Sequence, residues 1–158
     1  MASGTSNVTI RPAGEKEDLA QVLSLLQDAD LPTEGVREHF IDFIVAADPA
    51  GAVVGAIGME RYADGTALLR SAVVESSLRN SGVGSMLFQA LLALARSSGI
   101  RRIILLTNTA EAYFTRKGFR VIARSNITGP VLQSTEFTNA CPESAVCMEL
   151  LLADAVVS

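Results

Sequence analysis

The segment Val74-Glu75-Ser76-Ser77-Leu78-Arg79-Asn80-Ser81-Gly82-Val83-Gly84-Ser85 carries the residue types best placed for chemistry. A strand pattern, Thr66 to Val74, runs into it and a helical pattern leaves it. The first N–H groups of a helix have no intrahelical acceptor, and the helix dipole adds positive potential there. Such a turn suits a phosphate. Gly82 and Gly84 let a ligand come close to the backbone, and Arg79 adds one positive charge beside them. No Gly-Lys-Ser/Thr follows, so this is not a Walker loop, and no third Gly completes a dinucleotide fingerprint. Taken alone, Gly-x-Gly here also fits a plain strand-to-helix turn whose small residues serve packing.

The other reactive residues are sparse. Cys141 and Cys147 match no standard zinc spacing, there is no third Cys, and His39 is the single His. The expectation is inert buried thiols and no metal. Two cysteines without a secretory signal fit a reducing, cytoplasmic setting.

The elements around the segment alternate. Val8 to Pro12 reads as a first strand, and Asp18 to Ala29 as a helix with Leu19, Val22, Leu23 and Leu26 at helical spacing. Leu31-Pro32-Thr33-Glu34-Gly35 breaks that helix. A short helix over Val36 to Phe40 is expected next. Asp42 to Ala47, Ala52 to Tyr62 and Thr66 to Val74 form an antiparallel meander, joined by a Pro49-Gly51 turn and an Asp64-Gly65 hairpin. Gly82 to Ser98 is the clearest helix, ended by Gly99. Ile103 to Leu106 is a continuous apolar run, the mark of a buried strand. Ala110 to Lys117 is a short helix and Phe119 to Ala123 a strand. Val131 to Asn139 is expected to be helical, and Ala145 to Leu152 is the last strand. The strand–helix–strand from Val74 through Leu105 requires a parallel pair with a crossover helix, so the sheet is mixed.

Composition narrows the function. At 158 residues and 16.7 kDa the chain suits one domain with its own core. Residues 1–7 read as a polar tail and 8–153 as the domain. Hydrophobic residues make up 49% and charged residues 19%, which excludes intrinsic disorder. Thirteen Lys+Arg against 17 Asp+Glu give a net charge of −4, with no Trp and two Tyr, so nucleic acid is a poor partner. Ala50 to Met59, the longest membrane candidate, has ten residues and includes three glycines. That is short of the about 20 apolar residues a span needs.

Arg79 to Gly84 as Arg-x-x-Gly-x-Gly follows Leu69-Arg70-Ser71-Ala72-Val73-Val74, and Ala110-Glu111-Ala112-Tyr113-Phe114-Thr115-Arg116-Lys117-Gly118-Phe119 lies downstream. This order resembles the GNAT superfamily of acyl-CoA N-acyltransferases over essentially the whole chain. Leu31 to Val36, Met59 to Tyr62, Leu68 to Ser71 and Cys141 to Met148 look like the small ArsN-type acetyltransferases found with arsenic resistance. The resemblance implies a single α/β (α+β) domain of GNAT fold, with a mixed, mostly antiparallel sheet of six to seven strands flanked by helices. It also implies acetyl-CoA as donor, an amine as acceptor, and a dimer through C-terminal strands, common among such relatives.

Carried residue by residue, the resemblance implies a pyrophosphate on Arg79, Asn80, Ser81, Gly82, Val83, Gly84 and Ser85. It places a pantetheine arm along the backbone of Ala72, Val73 and Val74, with Thr107, Asn108 and Phe114 also beside the cofactor. A backbone N–H of that strand would polarise the thioester carbonyl. The family's acidic Tyr falls on Phe114 here, with Tyr113 next to it. One residue along a helix turns a side chain by about 100°. Tyr113 is therefore either the acid or a core aromatic, and a thiol with a pKa of about 8.5 leaves reasonably well unaided. The family's general-base Glu falls on Leu68, and Glu60 is the expected substitute. A three-residue hairpin loop puts Glu60 opposite Leu68 and on its face; a two-residue turn puts it on the other. Arg70 shares the face of Leu68 and suits two-point capture of a carboxylate, phosphinate or arsinate. Thr33 is a further expected acceptor contact.

The reading is an acetyl-CoA-dependent N-acetyltransferase of a small anionic amino acid, phosphinothricin- or arsinothricin-like. The alternatives are a peptide or protein amine acetyltransferase and a non-catalytic acyl-CoA sensor.

Overall fold

The computed structural model describes residues 7–14, 16–140 and 144–152. The expected tail, Cys141 and the end of the last element lie outside or at the edge of that range. The strands are β1 (Thr9–Pro12), β2 (Phe43–Ala47), β3 (Val53–Arg61), β4 (Thr66–Val74), β5 (Arg102–Thr107), β6 (Arg120–Ile122) and β7 (Val146–Leu151). The helices are α1 (Lys16–Asp28), α2 (Val83–Ser97) and α3 (Glu111–Arg116). The seven strands make one mixed sheet in the order β1-β2-β3-β4-β5-β7-β6. β4 and β5 pair in parallel, Thr66 to Arg102 through Leu68 to Ile104. The pairs β1–β2, β2–β3, β5–β7 and β6–β7 are antiparallel. This is the mixed, mostly antiparallel α/β sheet of seven strands that the resemblance implies.

The chain divides into two compact units. The first comprises residues up to Met59 together with Ser71–Leu94, and the second Glu60–Arg70 together with the residues from Ala95 onward. In the first unit Val22, Leu26, Val36, Phe43, Val45 and Val73 share one core with Val53 and Ala56. Arg11 fixes the start of α1 by donating to both oxygens of Asp18, at 2.8 and 2.9 Å. Gln21 on α1 accepts from the N–H of Val53 at 2.8 Å, tying α1 to β3. Gly58 of β3 sits opposite Phe43 of β2. A Cβ on Gly58 would lie 2.2 Å from the Phe43 ring, itself 1% exposed. Gly58→Ala is therefore expected to cost about 1–3 kcal/mol of stability by overpacking. That lowers Tm by roughly 2–12 °C at about 2–4 °C per kcal/mol; a thermal melt at or above the wild-type value would refute it.

In the second unit Leu68, Ile104, Ile127, Val131 and Cys147 form a separate core, with Tyr62 and Phe137 packed against it. Glu149 of β7 accepts from Arg120 at 3.1 Å and lies 3.7 Å from Arg102, which ties β5, β6 and β7 together.

Two expected elements differ. Val36 to His39 is a run of turns, and the helical geometry begins only at Phe40–Asp42 as a 3-10 turn. Val131 to Asn139 is not one helix: a 3-10 turn spans Pro130–Gln133 and a π-helical turn spans Glu136–Ala140. Ser134 separates them in an extended conformation, and its hydroxyl accepts the N–H of Glu136 at 3.1 Å. That side-chain acceptor competes with continuous helix.

Candidate active site

In the first unit β4 leads into the phosphate-suited loop. Ser76–Leu78 is a 3-10 turn, and the N–H of Glu75 donates to the carbonyl of Val54 at 2.8 Å, anchoring the loop to β3. Asn80 and Gly82 both take left-handed backbone, at φ 65 and 96. Gly accepts that conformation at no steric cost, and Asn tolerates it better than most residues. The first backbone bond of α2 runs from Met86 N–H to the Gly82 carbonyl at 3.1 Å. The amides of Val83 and Gly84 thus belong to the first turn, where helix geometry supplies no acceptor. Arg79 is exposed, and its Nε donates to the carbonyl of Val74 at 3.3 Å. Ala72 is exposed and Val73 is buried in the first unit's core. Ser71, buried, holds a φ of 60 within β4. A non-glycine residue held there is strained, and such strain clusters at functional sites. Thr33 lies in the loop after α1, its carbonyl accepting the N–H of Val36 at 3.2 Å.

In the second unit the hairpin loop is Ala63-Asp64-Gly65, because Tyr62 N–H donates to the Thr66 carbonyl at 2.9 Å. The three-residue alternative is the one the chain adopts, and Glu60 falls opposite Leu68. Glu60 and Arg70 then meet on one face. Arg70 Nη1 donates to Glu60 Oε2 at 2.7 Å, and the Tyr62 hydroxyl donates to Glu60 Oε1 at 2.5 Å. Glu136 brings a second carboxylate, its Oε2 3.6 Å from Arg70 Nε. The side chains of Arg70, Glu60 and Glu136 are 0%, 1% and 5% exposed. Burial, and then the hydrogen bond to Glu60, hold the Tyr62 phenol well above its ordinary pKa, so it stays a protonated donor.

Arg70 does not stand alone facing an acceptor, because its guanidinium already meets two carboxylates. Glu60 has hydrogen-bond donors on both oxygens. Sequence patterning does not single out Tyr62, Ser134 or Glu136. Tyr62 was within reach of it, two residues from Glu60 and so on the same strand face. Nothing local links Glu136 to Arg70.

The remaining expected residues also lie in the second unit. Phe114 is buried edge-on against Tyr113 and Phe119, with ring centroids 5.1 and 5.4 Å away. Tyr113 is half-buried with Lys117 Nζ 5.3 Å from its ring centre. Thr107 Oγ1 accepts the Ala110 N–H at 3.0 Å and so shapes the entry to α3, while Asn108 is exposed. Burial pushes the Cys147 thiol pKa up, which keeps it unreactive. Among the described residues no group of three or more His, Cys, Asp or Glu could hold a metal ion, and no helix is long and apolar enough to cross a membrane.

The acetyltransferase (GNAT) domain model matches residues 39–121, just over half of the chain. The chain belongs to the GNAT acetyltransferase family. It is an acetyltransferase, and the matched range includes β2 through α3 with the α2 loop. An uncharacterized N-acetyltransferase of Chlorobaculum tepidum is 29% identical over 119 residues, covering 75% of this chain and 74% of that protein. The solved N-acetylglutamate synthase of Neisseria gonorrhoeae, complexed with coenzyme A and N-acetyl-glutamate, aligns with a TM-score of 0.78 at 18% identity. This GNAT chain is covered to 92% there but spans only 35% of the synthase. A Mycobacterium tuberculosis protein in complex with CoA aligns at a TM-score of 0.76 and 24% identity, over 92% of this chain and 99% of its own. These two likenesses speak for the fold.

Proposed function

We propose that this acetyltransferase moves an acetyl group from acetyl-CoA to the amine of a small anionic amino acid. The observation that carries the reading is the strand β4. It bears a fully buried arginine, Arg70, and runs directly into the loop that opens α2. Acetyl-CoA supplies the acetyl group as a thioester that an amine can attack. The first-turn amides of Val83 and Gly84 suit its pyrophosphate, with Arg79, Asn80, Ser81, Gly82 and Ser85 around it. Backbone groups of Ala72, Val73 and Val74 would orient the donor arm. Fixing donor and amine in register is a large part of the rate such an enzyme needs to supply.

Arg70 would hold the acceptor's anionic end through a planar two-point contact. N-acetyl-glutamate in the neighbouring synthase is the acetylated form of such an acceptor, which supports the class. The ArsN-like segments favour phosphinothricin or arsinothricin within it. Glu60 enters this reading as the residue that aims Arg70, since both its oxygens accept bonds. Glu60→Gln is accordingly expected to raise KM for the anionic acceptor more than it lowers kcat, with acetyl-CoA affinity kept. A fall in kcat of about 100-fold at unchanged KM is the size expected of general-base removal, and would return that role to Glu60. Tyr113→Phe is expected to cost less than either, because the thiolate leaves with little help.

The deciding experiment is thiol release from acetyl-CoA against glutamate, phosphinothricin, arsinothricin and a few neutral amines. Turnover confined to neutral amines or peptides would reject the anionic acceptor. Binding of acetyl-CoA without any turnover would favour a sensor.

A further inference from the structure

We propose that the cleft between the β3–β4 hairpin and the turn from α2 to β5 binds a small dianion, a dicarboxylate or a phosphate ester, through Arg61 and Arg101. The inference goes beyond the acetyl transfer proposed above and does not depend on the acceptor. The cleft has a volume of about 630 Å³ and is lined by the hairpin from Arg61 to Gly65 and the turn from Ser98 to Arg101. Small-molecule sites commonly measure about 300–1,000 Å³. All of the lining belongs to the second unit. Ala63 and Ile100 are its only aliphatic side chains besides glycine, so charge rather than apolar burial must select the ligand.

Backbone bonds set the floor. The Gly65 carbonyl accepts the N–H of Arg101 at 2.8 Å and of Arg102 at 3.3 Å, which ties hairpin to turn. A Cβ on Gly65 would come 3.3 Å from Arg101 Nε, so the guanidinium lies over the hairpin tip. A Cβ on Gly99 would meet nothing within 4 Å, so the turn side is open. Arg101 is exposed, and among the described residues its side chain has no ion pair or hydrogen bond. Its neighbour Arg102 donates to Thr66 Oγ1 at 3.1 Å and lies 3.7 Å from Glu149. Arg61 is exposed, and it follows Glu60 on β3, so it projects from the opposite face to the Glu60–Arg70 pair. Arg61 has contacts within the protein, but a guanidinium carries five N–H donors and can serve an internal partner and a ligand together.

Asp64 is the one carboxylate of this lining, and the hairpin uses it. Oδ1 accepts the Thr66 N–H at 3.1 Å, and Oδ2 is turned toward Gly129, outside the lining, 2.6 Å from where a Cβ there would stand. Arg96 in the last turn of α2 offsets the negative end of that helix's dipole. Two guanidinium forks remain, each able to make two parallel N–H···O bonds to a carboxylate or phosphate. Two such forks suit a ligand with two negative charges.

Calorimetric titration with succinate and with inorganic phosphate tests this, at fixed ionic strength and with CoA saturating so that the α2 loop is occupied. Wild type is expected to bind at least one of the two with a Kd of about 1 mM or tighter. Succinate binding more tightly identifies a dicarboxylate ligand, and phosphate binding more tightly a phosphate ester. Arg61→Gln and Arg101→Gln, both at exposed positions and checked for folding by their melting curves, should each weaken binding about tenfold or more. Arg70→Lys should leave it unchanged. The proposal is overturned if neither probe binds by about 10 mM, ten times that Kd. Binding that survives both Gln substitutions, or that falls with Arg70→Lys instead, also overturns it, as does acetate binding as tightly as the better dianion.

Discussion

Gly84→Asp is expected to abolish the stabilisation of the protein by acetyl-CoA while leaving the free protein folded. Binding to the native state alone raises stability by about 2.7 kcal/mol at a ligand concentration of 100 Kd. At about 2–4 °C per kcal/mol, the wild-type melting temperature should climb by roughly 5–11 °C. Gly84 lies in the first turn of α2 and, unlike Gly82, takes no left-handed φ. An Asp there is compatible with helix and even favoured by the positive end of the dipole. The same carboxylate stands where the pyrophosphate is expected, so like charge and bulk oppose the ligand. Gly82→Asp should lose the shift too, but it also forces a branched side chain onto a backbone at φ 96. Gly84→Asp is therefore the cleaner variant. A full acetyl-CoA shift in both variants would remove the loop from the cofactor site.

Arg70→Lys is expected to raise KM for an anionic amino acid about 10–100-fold with Kd for acetyl-CoA unchanged. Losing a charge-assisted contact costs about 1.5–3 kcal/mol, and an ammonium cannot form the planar two-point contact. Lys is the informative replacement because of burial. Arg70→Ala would leave Glu60 and Glu136 buried without their shared cation, a break worth about 3–5 kcal/mol of stability. Against a total of about 5–15 kcal/mol, the Ala variant risks unfolding before it reports on the acceptor. The comparison that decides the matter is an anionic amino acid against a neutral amine of similar size. Equal losses on both would make Arg70 a structural residue or a cofactor contact.

The order of elements and the phosphate-suited loop were legible in the sequence because both are local. Helical spacing from Leu19 to Leu26 and from Val83 to Leu94, the apolar run Ile103 to Leu106, and Gly99 after α2 each act within a few residues. The loop likewise depends on Gly82 and on the start of one helix, and both can be read from a dozen letters. The strand–helix–strand rule extended this to one non-local fact, the parallel pairing of β4 with β5. The face of Glu60 was not decided in this way. Two hairpin loops fitted Asp64-Gly65 equally, and only the bond from Tyr62 to Thr66 fixes the three-residue loop. The helix expected over Val131 to Asn139 failed because the Ser134 hydroxyl takes a backbone donor that helix would have used. Arg70 could be recognised as an unusual strand residue, yet not as one already paired. Its partners come from β3 and from the π-turn before β7, and a charge selects partners by distance in space rather than along the chain. The sequence by itself determined which residues could bind an anion; the tertiary structure decided that one of them already holds two carboxylates, because burial brings charges together that no local pattern relates.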